Sequence, residues 1–152
     1  FDALHNGKLD IIATDHAPHS IEEKTGNYFK ALSGGPLVQH ALPALLEMHH
    51  QNKMSLEMIA EKTAHNVAQI YKLKERGYIR EGYFADLVLV DLNQPWKVTK
   101  ENILYKCNWS PFEEQVFQSK IMTTIVNGNI VYTNGVFDYT PKGMRLQFSK
   151  IR

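Results

Sequence analysis

The chain has 152 residues, 43% hydrophobic and 22% charged, which suits one compact domain or two small ones and excludes an extensively disordered polymer. Its 17 basic residues are scattered among 16 acidic ones and leave a net charge of +1, with no basic stripe, which argues against nucleic acid or an anionic membrane as partner. Cys107 is a lone thiol that cannot form an internal disulfide, so a reducing, cytoplasmic setting fits best; no apolar run approaches the roughly 18 residues of a membrane helix, and no signal peptide is visible.

Phe1 and Leu4 stand at helical i,i+3 spacing and Gly7 reads as a helix stop, so the sequence begins as if inside a helix and reads as a fragment of a longer chain. Leu9 to Thr14, LDIIAT, predicts a short strand buried on both faces, as in a parallel sheet. His16 to Pro36 is rich in Gly, Pro and polar residues and reads as one long loop, of a length that is usually functional or disordered. Leu37 to Gln51 has a helical apolar face of Leu42, Leu45, Leu46 and Met48. Ser55 is placed to cap the next helix, SLEMIAEKTA, and a third short helix is expected over Asn66 to Tyr71.

Past residue 73 the composition turns to short β runs. Ala85 to Leu92, ADLVLVDL, predicts a strand, and Trp96 to Val98 another. Ser119 to Val126 and Ile130 to Thr133 flank Asn127-Gly128-Asn129, a strong hairpin signal, and Asn134-Gly135 marks a second turn. From about Thr140 the chain reads as a weakly structured tail. The expected organisation is a βα unit with a helical extension over 1–72, a small β-rich domain over 73–140 and a tail over 141–152.

The densest chemistry is Thr14-Asp15-His16-Ala17-Pro18-His19. A carboxylate at the end of a barrel strand points into the catalytic mouth, and with two histidines beside it the run suits metal binding or proton transfer. The plain alternative is an Asp that only terminates a turn, beside exposed imidazoles. Elsewhere the chemistry is thin. His49 and His50 are adjacent on a helix, where neighbours point about 100° apart, so they make a poor chelate and are expected to face solvent. His40 and His65 read as packing or surface groups, and Cys107 as structural. No dinucleotide, phosphate-loop or serine-hydrolase motif is present.

Thr14, Asp15, Ala17, Pro18 and His19, with Lys24 five positions on, resemble the signature of the dihydroorotases of the amidohydrolase superfamily. SGGPLVQHALPALLE (33–47), ERGYIREGYFADLVLVD (75–91) and WSPFEEQVFQSKIMTTIVNGNIVY (109–132) extend the resemblance over nearly all of the chain but its tail. Gln39 departs from a common Glu, Glu114 from a frequent Gly, and Ser33 precedes Gly34 where a bulkier residue is usual.

The resemblance implies an α/β fold: the terminal strand-loop-helix part of a (β/α)8 metal-dependent hydrolase barrel, followed by a small β-sandwich-like domain. It implies that Asp15 is both a metal ligand and the general base and acid, that His19 binds the substrate carboxylate, and that Gly34 meets the ring through its backbone. The implied reaction is the interconversion of dihydroorotate and N-carbamoyl-aspartate at a Zn²⁺ site, in pyrimidine synthesis. The family's His-x-His pair is absent here, and a complete barrel takes about 250 residues. The expectation is therefore an inactive piece that binds zinc weakly or not at all and needs an upstream segment of the same protein as partner; a homodimeric parent is compatible with it. The competing expectations are a hydantoinase, dihydropyrimidinase or allantoinase, and a non-catalytic scaffold subunit.

Overall fold

The computed structural model describes residues 1–140 and 143–149. The helical part comes first. After α1 (Asp2–His5) the chain runs extended, then through α2 (Ile21–Lys24), a 3-10 turn over Val38–His40, and α3 (Ala41–His50). Ser20 builds α2: its hydroxyl accepts from the Glu23 amide while the Glu23 carboxylate accepts from the Ser20 amide. Ser55 starts α4 (Leu56–Ala60) by accepting from the Met58 amide. A π segment over Glu61–His65 then leads straight into α5 (Asn66–Ile70), so the two helices expected here form one rod. Within it the Thr63 hydroxyl donates back to the Ile59 carbonyl at 2.7 Å.

The segment Leu9–Thr14 corrects the sequence reading. Among the described residues it is extended but joins no sheet, and Leu9 is half exposed. A parallel strand needs at least one neighbouring strand to pair with, and none stands beside it among the described residues. The segment is held from one side by the rod instead. The Ile12 amide donates to the Lys62 carbonyl, the Lys62 ammonium to the Leu9 carbonyl at 3.0 Å, and the Asn66 side chain to the Asp10 carbonyl at 2.8 Å. Lys62 is itself buried, and its ammonium is shared between that carbonyl and the Glu61 carboxylate at 3.4 Å.

The β part has a four-stranded antiparallel sheet in the order β1 (Leu87–Asp91), β4 (Lys120–Val126), β5 (Asn129–Thr133), β6 (Val136–Phe137). A two-stranded ribbon pairs β2 (Trp96–Lys97) with β3 (Val116–Phe117). Val126 faces Asn129 and Thr133 faces Val136, so both hairpins turn on two residues. Asn127 and Gly128 have φ of 50° and 78°, and Asn134 and Gly135 have 47° and 91°, the double positive φ whose twist matches paired strands. Arg76 ties this sheet to the end of the helical part. Its guanidinium pairs with Asp86, donates to Asn127 at 2.6 Å and lies over the Phe84 ring, while Asp86 accepts from the Asn127 amide. The tail is also anchored: Leu73 pairs with Phe148, the Lys74 amide donates to Gln147, and the Ser149 amide to Lys72. The rest of the expected weak tail, residues 141–142 and 150–152, lies outside the described residues.

Two apolar clusters sit on either side of α3. One joins Leu46, Met54 and Ile59 with Ile12, Leu42, Leu45, Met48, Val90 and Leu92, so the helical face read from the sequence is the face that packs. The other joins Val98, Ile103, Tyr105 and Phe117 with Ala44, Trp96, Phe112 and Cys107, which gives the thiol a packing role. Of the histidine pair, His50 is exposed as expected and His49 departs from expectation. His49 bonds the Met54 carbonyl and is half-buried, and His50 Nε2 meets the Ser119 hydroxyl at 2.8 Å. His65 stacks on Tyr78 with centroids 4.4 Å apart.

Gly77 packs its backbone directly against the rod. It has φ of 81°, and a Cβ there would stand 2.5 Å from the Ala68 Cβ and 2.9 Å from the Ala64 carbonyl oxygen. Gly77→Ala is expected to cost about 2–4 kcal/mol, adding a left-handed backbone penalty to overpacking against atoms that cannot swing away. Gly135→Ala meets nothing within 4 Å and should lose only the backbone part. Urea unfolding of both variants checks the difference.

Candidate functional site

The extended segment delivers Asp15 to a sharp turn, where its φ is 46°, a left-handed value that Asp adopts more readily than most residues. Its carboxylate is exposed and makes no hydrogen bond or ion pair among the described residues. It is therefore free for a ligand or for proton transfer.

The residues after Asp15 fold onto the glycine loop. The Ala17 amide donates to the Gly35 carbonyl at 2.9 Å, and His16 pairs with Gly35 in a parallel bridge. His16 Nδ1 accepts from the amides of Leu37 at 3.0 Å and Val38 at 3.3 Å. That nitrogen carries a lone pair in this arrangement, so His16 serves the loop, a use that its place in the sequence did not suggest. Lys24 is the second hidden contributor. Its ammonium donates to the Gly34 carbonyl at 2.6 Å and to the Leu32 carbonyl, closing the loop from the far side. Its signal was visible as the last position of the motif, without a role.

Gly34 and the Asp15 turn are thus brought together. Gly34 has φ of 80°, and a Cβ on it would fall 2.5 Å from the Ala17 Cβ and 3.6 Å from the Asp15 carbonyl oxygen. Gly34→Ala should push the two segments apart and break the Ala17–Gly35 bond. The expected result is loss of hydrogen-exchange protection at the Ala17 amide, with the sheet amides unchanged. His19 is half-buried one turn further on. Its Nδ1 lies 3.7 Å from Glu23, and its carbonyl accepts from the Trp109 indole at 2.8 Å. The buttress therefore comes from the β part, ninety residues away in the sequence.

A zinc centre takes about four N, O or S donors. Among the described residues no three His, Cys, Asp or Glu side chains converge to hold an ion, and His16 Nδ1 is already engaged. Asp15 fits as a single donor, so these residues alone do not constitute a metal centre. Among them there is also no helix long and apolar enough to cross a membrane.

Comparison with known proteins follows the same outline. The chain is 39% identical over 132 residues to a dihydroorotase of Halobacterium salinarum, covering 87% of this chain and 31% of that protein. It is 33% identical over 145 residues to an allantoinase of Desulfitobacterium hafniense, covering 95% of this chain and 32% of the relative. The structure superposes on the L-hydantoinase (dihydropyrimidinase) of Arthrobacter aurescens with a TM-score of 0.80 at 27% identity, over 89% of this chain and 31% of that one. The chain thus spans about a third of the length of the relatives it matches. The fold is that of a partial (β/α)8 hydrolase with antiparallel sheets, from a family that is generally metal-dependent. A free carboxylate at a strained turn, folded onto a glycine loop and buttressed by the β part, lies inside the stretch from residue 2 to residue 131 that the amidohydrolase family profile matches, and the chain belongs to that family.

Proposed function

We propose that the whole protein is a dihydroorotase, interconverting dihydroorotate and N-carbamoyl-aspartate in pyrimidine synthesis. The observation that carries this is the run Thr14-Asp15-His16-Ala17-Pro18-His19 with Lys24, folded so that the free Asp15 carboxylate and the Gly34 loop share one turn. Dihydroorotases among the relatives, at 33–39% identity, support it. In this reading an Asp15 carboxylate oxygen takes a proton from the water that attacks the ring carbonyl. As the carbon–nitrogen bond breaks, it returns that proton to the leaving nitrogen, which would otherwise depart as a poor anion. The His19 imidazole holds the carboxylate of the ring, and the Gly34 backbone lies along the ring itself.

Zinc is the proposed metal, with Asp15 one donor among others contributed from outside this chain; bound, it would supply electrophilic activation of the scissile amide. The proposed partners are the small-molecule substrate and an upstream segment of the same protein, with a homodimer compatible, in the cytoplasm. Residues 1–72 and 73–140 are proposed as barrel part and small domain, and the 152-residue chain by itself is proposed to be inactive.

A substrate panel on the full-length protein tests the reading. Dihydroorotate should give the highest kcat/KM among dihydroorotate, allantoin, hydantoin and dihydrouracil. The second reading, an allantoinase, is favoured by the match to the Desulfitobacterium protein over 145 residues. A preference for allantoin would decide for it, and turnover of none of the four would leave the non-catalytic reading standing.

A further inference from the structure

His40 has no place in the proposed chemistry, yet it is fully buried at the junction between the helical part and the β part. Its ring stands beside both Trp96 and Phe117, tilted 27° and 25° to them with centroids 6.0 and 6.1 Å away, and those two rings touch each other at 5.6 Å. Tyr105 and Phe112 close the cage edge-on. Nδ1 meets the Ser110 hydroxyl at 3.0 Å and the Tyr105 hydroxyl at 3.4 Å, and Nε2 has no hydrogen-bond partner among the described residues.

The cage reaches the Gly34 loop through Tyr105. The Tyr105 hydroxyl accepts from the Gln39 amide at 2.8 Å, and its ring lies 5.4 Å from the His16 ring, whose Nδ1 holds the Leu37 and Val38 amides. Gln39 fastens the same junction with its side chain, donating to Asn102 and accepting from the Leu104 amide. We propose that His40 is an acid-sensitive pin: its neutral imidazole closes the aromatic cage, and protonation opens the cage and frees the 34–38 segment.

An imidazolium here would carry N–H donors on both ring nitrogens, with no acceptor for Nε2 among the described residues, and a charge removed from water. The titratable group facing the ring is the Tyr105 phenol, which burial pushes up and keeps neutral. Ser110, Phe112, Trp96 and Phe117 bring no charge, and Cys107, on the same cluster, is a thiol. The flat aromatic faces attract a cation, but about 6 Å is the outer limit of that attraction. Burial accordingly holds His40 below its ordinary value of 6.5. Below 6.5 an opened cage binds a proton that the closed cage refuses, so closure is fully favoured above that pH and is lost as the pH falls.

The inference goes beyond the proposed reaction and does not depend on it. It is tested by hydrogen exchange at the amides of residues 34–38, corrected for intrinsic rates, in the protein as the cell makes it, alongside an NMR titration of the histidine Cε1 resonances. In the wild type, opening should rise as the pH falls below 6.5, with a slope of up to about tenfold per pH unit, the limit for one linked proton, and should level off where the closed cage itself takes the proton. His40→Phe should abolish that slope while leaving exchange near neutral pH unchanged. The rival is His16, a second imidazole on the same amides; an unchanged acid slope in His40→Phe assigns the effect there and overturns the proposal. Should His40→Phe not fold, His40→Gln replaces it. The wild type must also show a common midpoint for the His40 resonance and amide opening, and midpoints more than about one pH unit apart refute the pin.

Discussion

Phe117→Ala is expected to remove about 3–5 kcal/mol of stability, the usual cost of emptying a large aromatic site in a core that cannot collapse around the hole. Phe117 has no solvent exposure and lies 5.6 Å from Trp96 and 5.5 Å from Phe112, ring centre to ring centre, with His40 stacked on it. It also belongs to a strand of only two residues, so little ladder remains to hold β3 once the side chain is gone. Against a total stability of about 5–15 kcal/mol, the loss is large enough to unfold a substantial fraction of molecules at 37 °C. Chemical unfolding reads the effect directly. Phe29, which is 93% exposed, provides the contrast: Phe29→Ala should stay within about 0.5 kcal/mol of the wild type. Equal losses at the two positions would place the core elsewhere.

Asp15→Asn in the full-length protein is expected to lower kcat by about 10²–10⁴-fold, the range for removal of a positioned acid-base group. Asparagine keeps the shape and tolerates the left-handed backbone that Asp15 adopts, so the turn should persist. What is lost is the capacity to take a proton from water and return it to the leaving nitrogen, together with one anionic donor to the proposed metal. Because the proposed reading gives the substrate carboxylate to His19, KM should move much less than kcat. His19→Asn should do the reverse, raising KM for an acidic ring more than for a neutral one such as dihydrouracil. A kcat within threefold of wild type in Asp15→Asn would remove Asp15 from the chemistry.

The two assignments differ in how each could be read. The hairpins were legible because Asn-Gly accepts the positive φ that a two-residue turn imposes, a local requirement met at Asn127-Gly128 and again at Asn134-Gly135. The α3 face was legible because its period is local too, and Leu42, Leu45, Leu46 and Met48 all turn to one cluster. The helix after Ser20 went unread within a presumed loop, although Ser20-Ile21-Glu22-Glu23 carries the capping-box pattern. The strand over Leu9–Thr14 failed for a different reason. Its apolar run states a preference, but a ladder is made by neighbours, and the rod of α4 and α5 took the one edge it could reach.

By itself, then, the sequence determined the family signature, the turn positions and the apolar face of α3, since each depends on residues a few places apart. Only the tertiary structure decided that Trp109 holds His19 in place, that Lys24 closes the loop at Gly34, and that His40 fills an aromatic cage. Those three unite residues brought together by chain reversal, mostly tens of positions apart. A buried hydrogen bond or a stacked ring is specified by distance in space, on which the spacing of letters along the chain is silent.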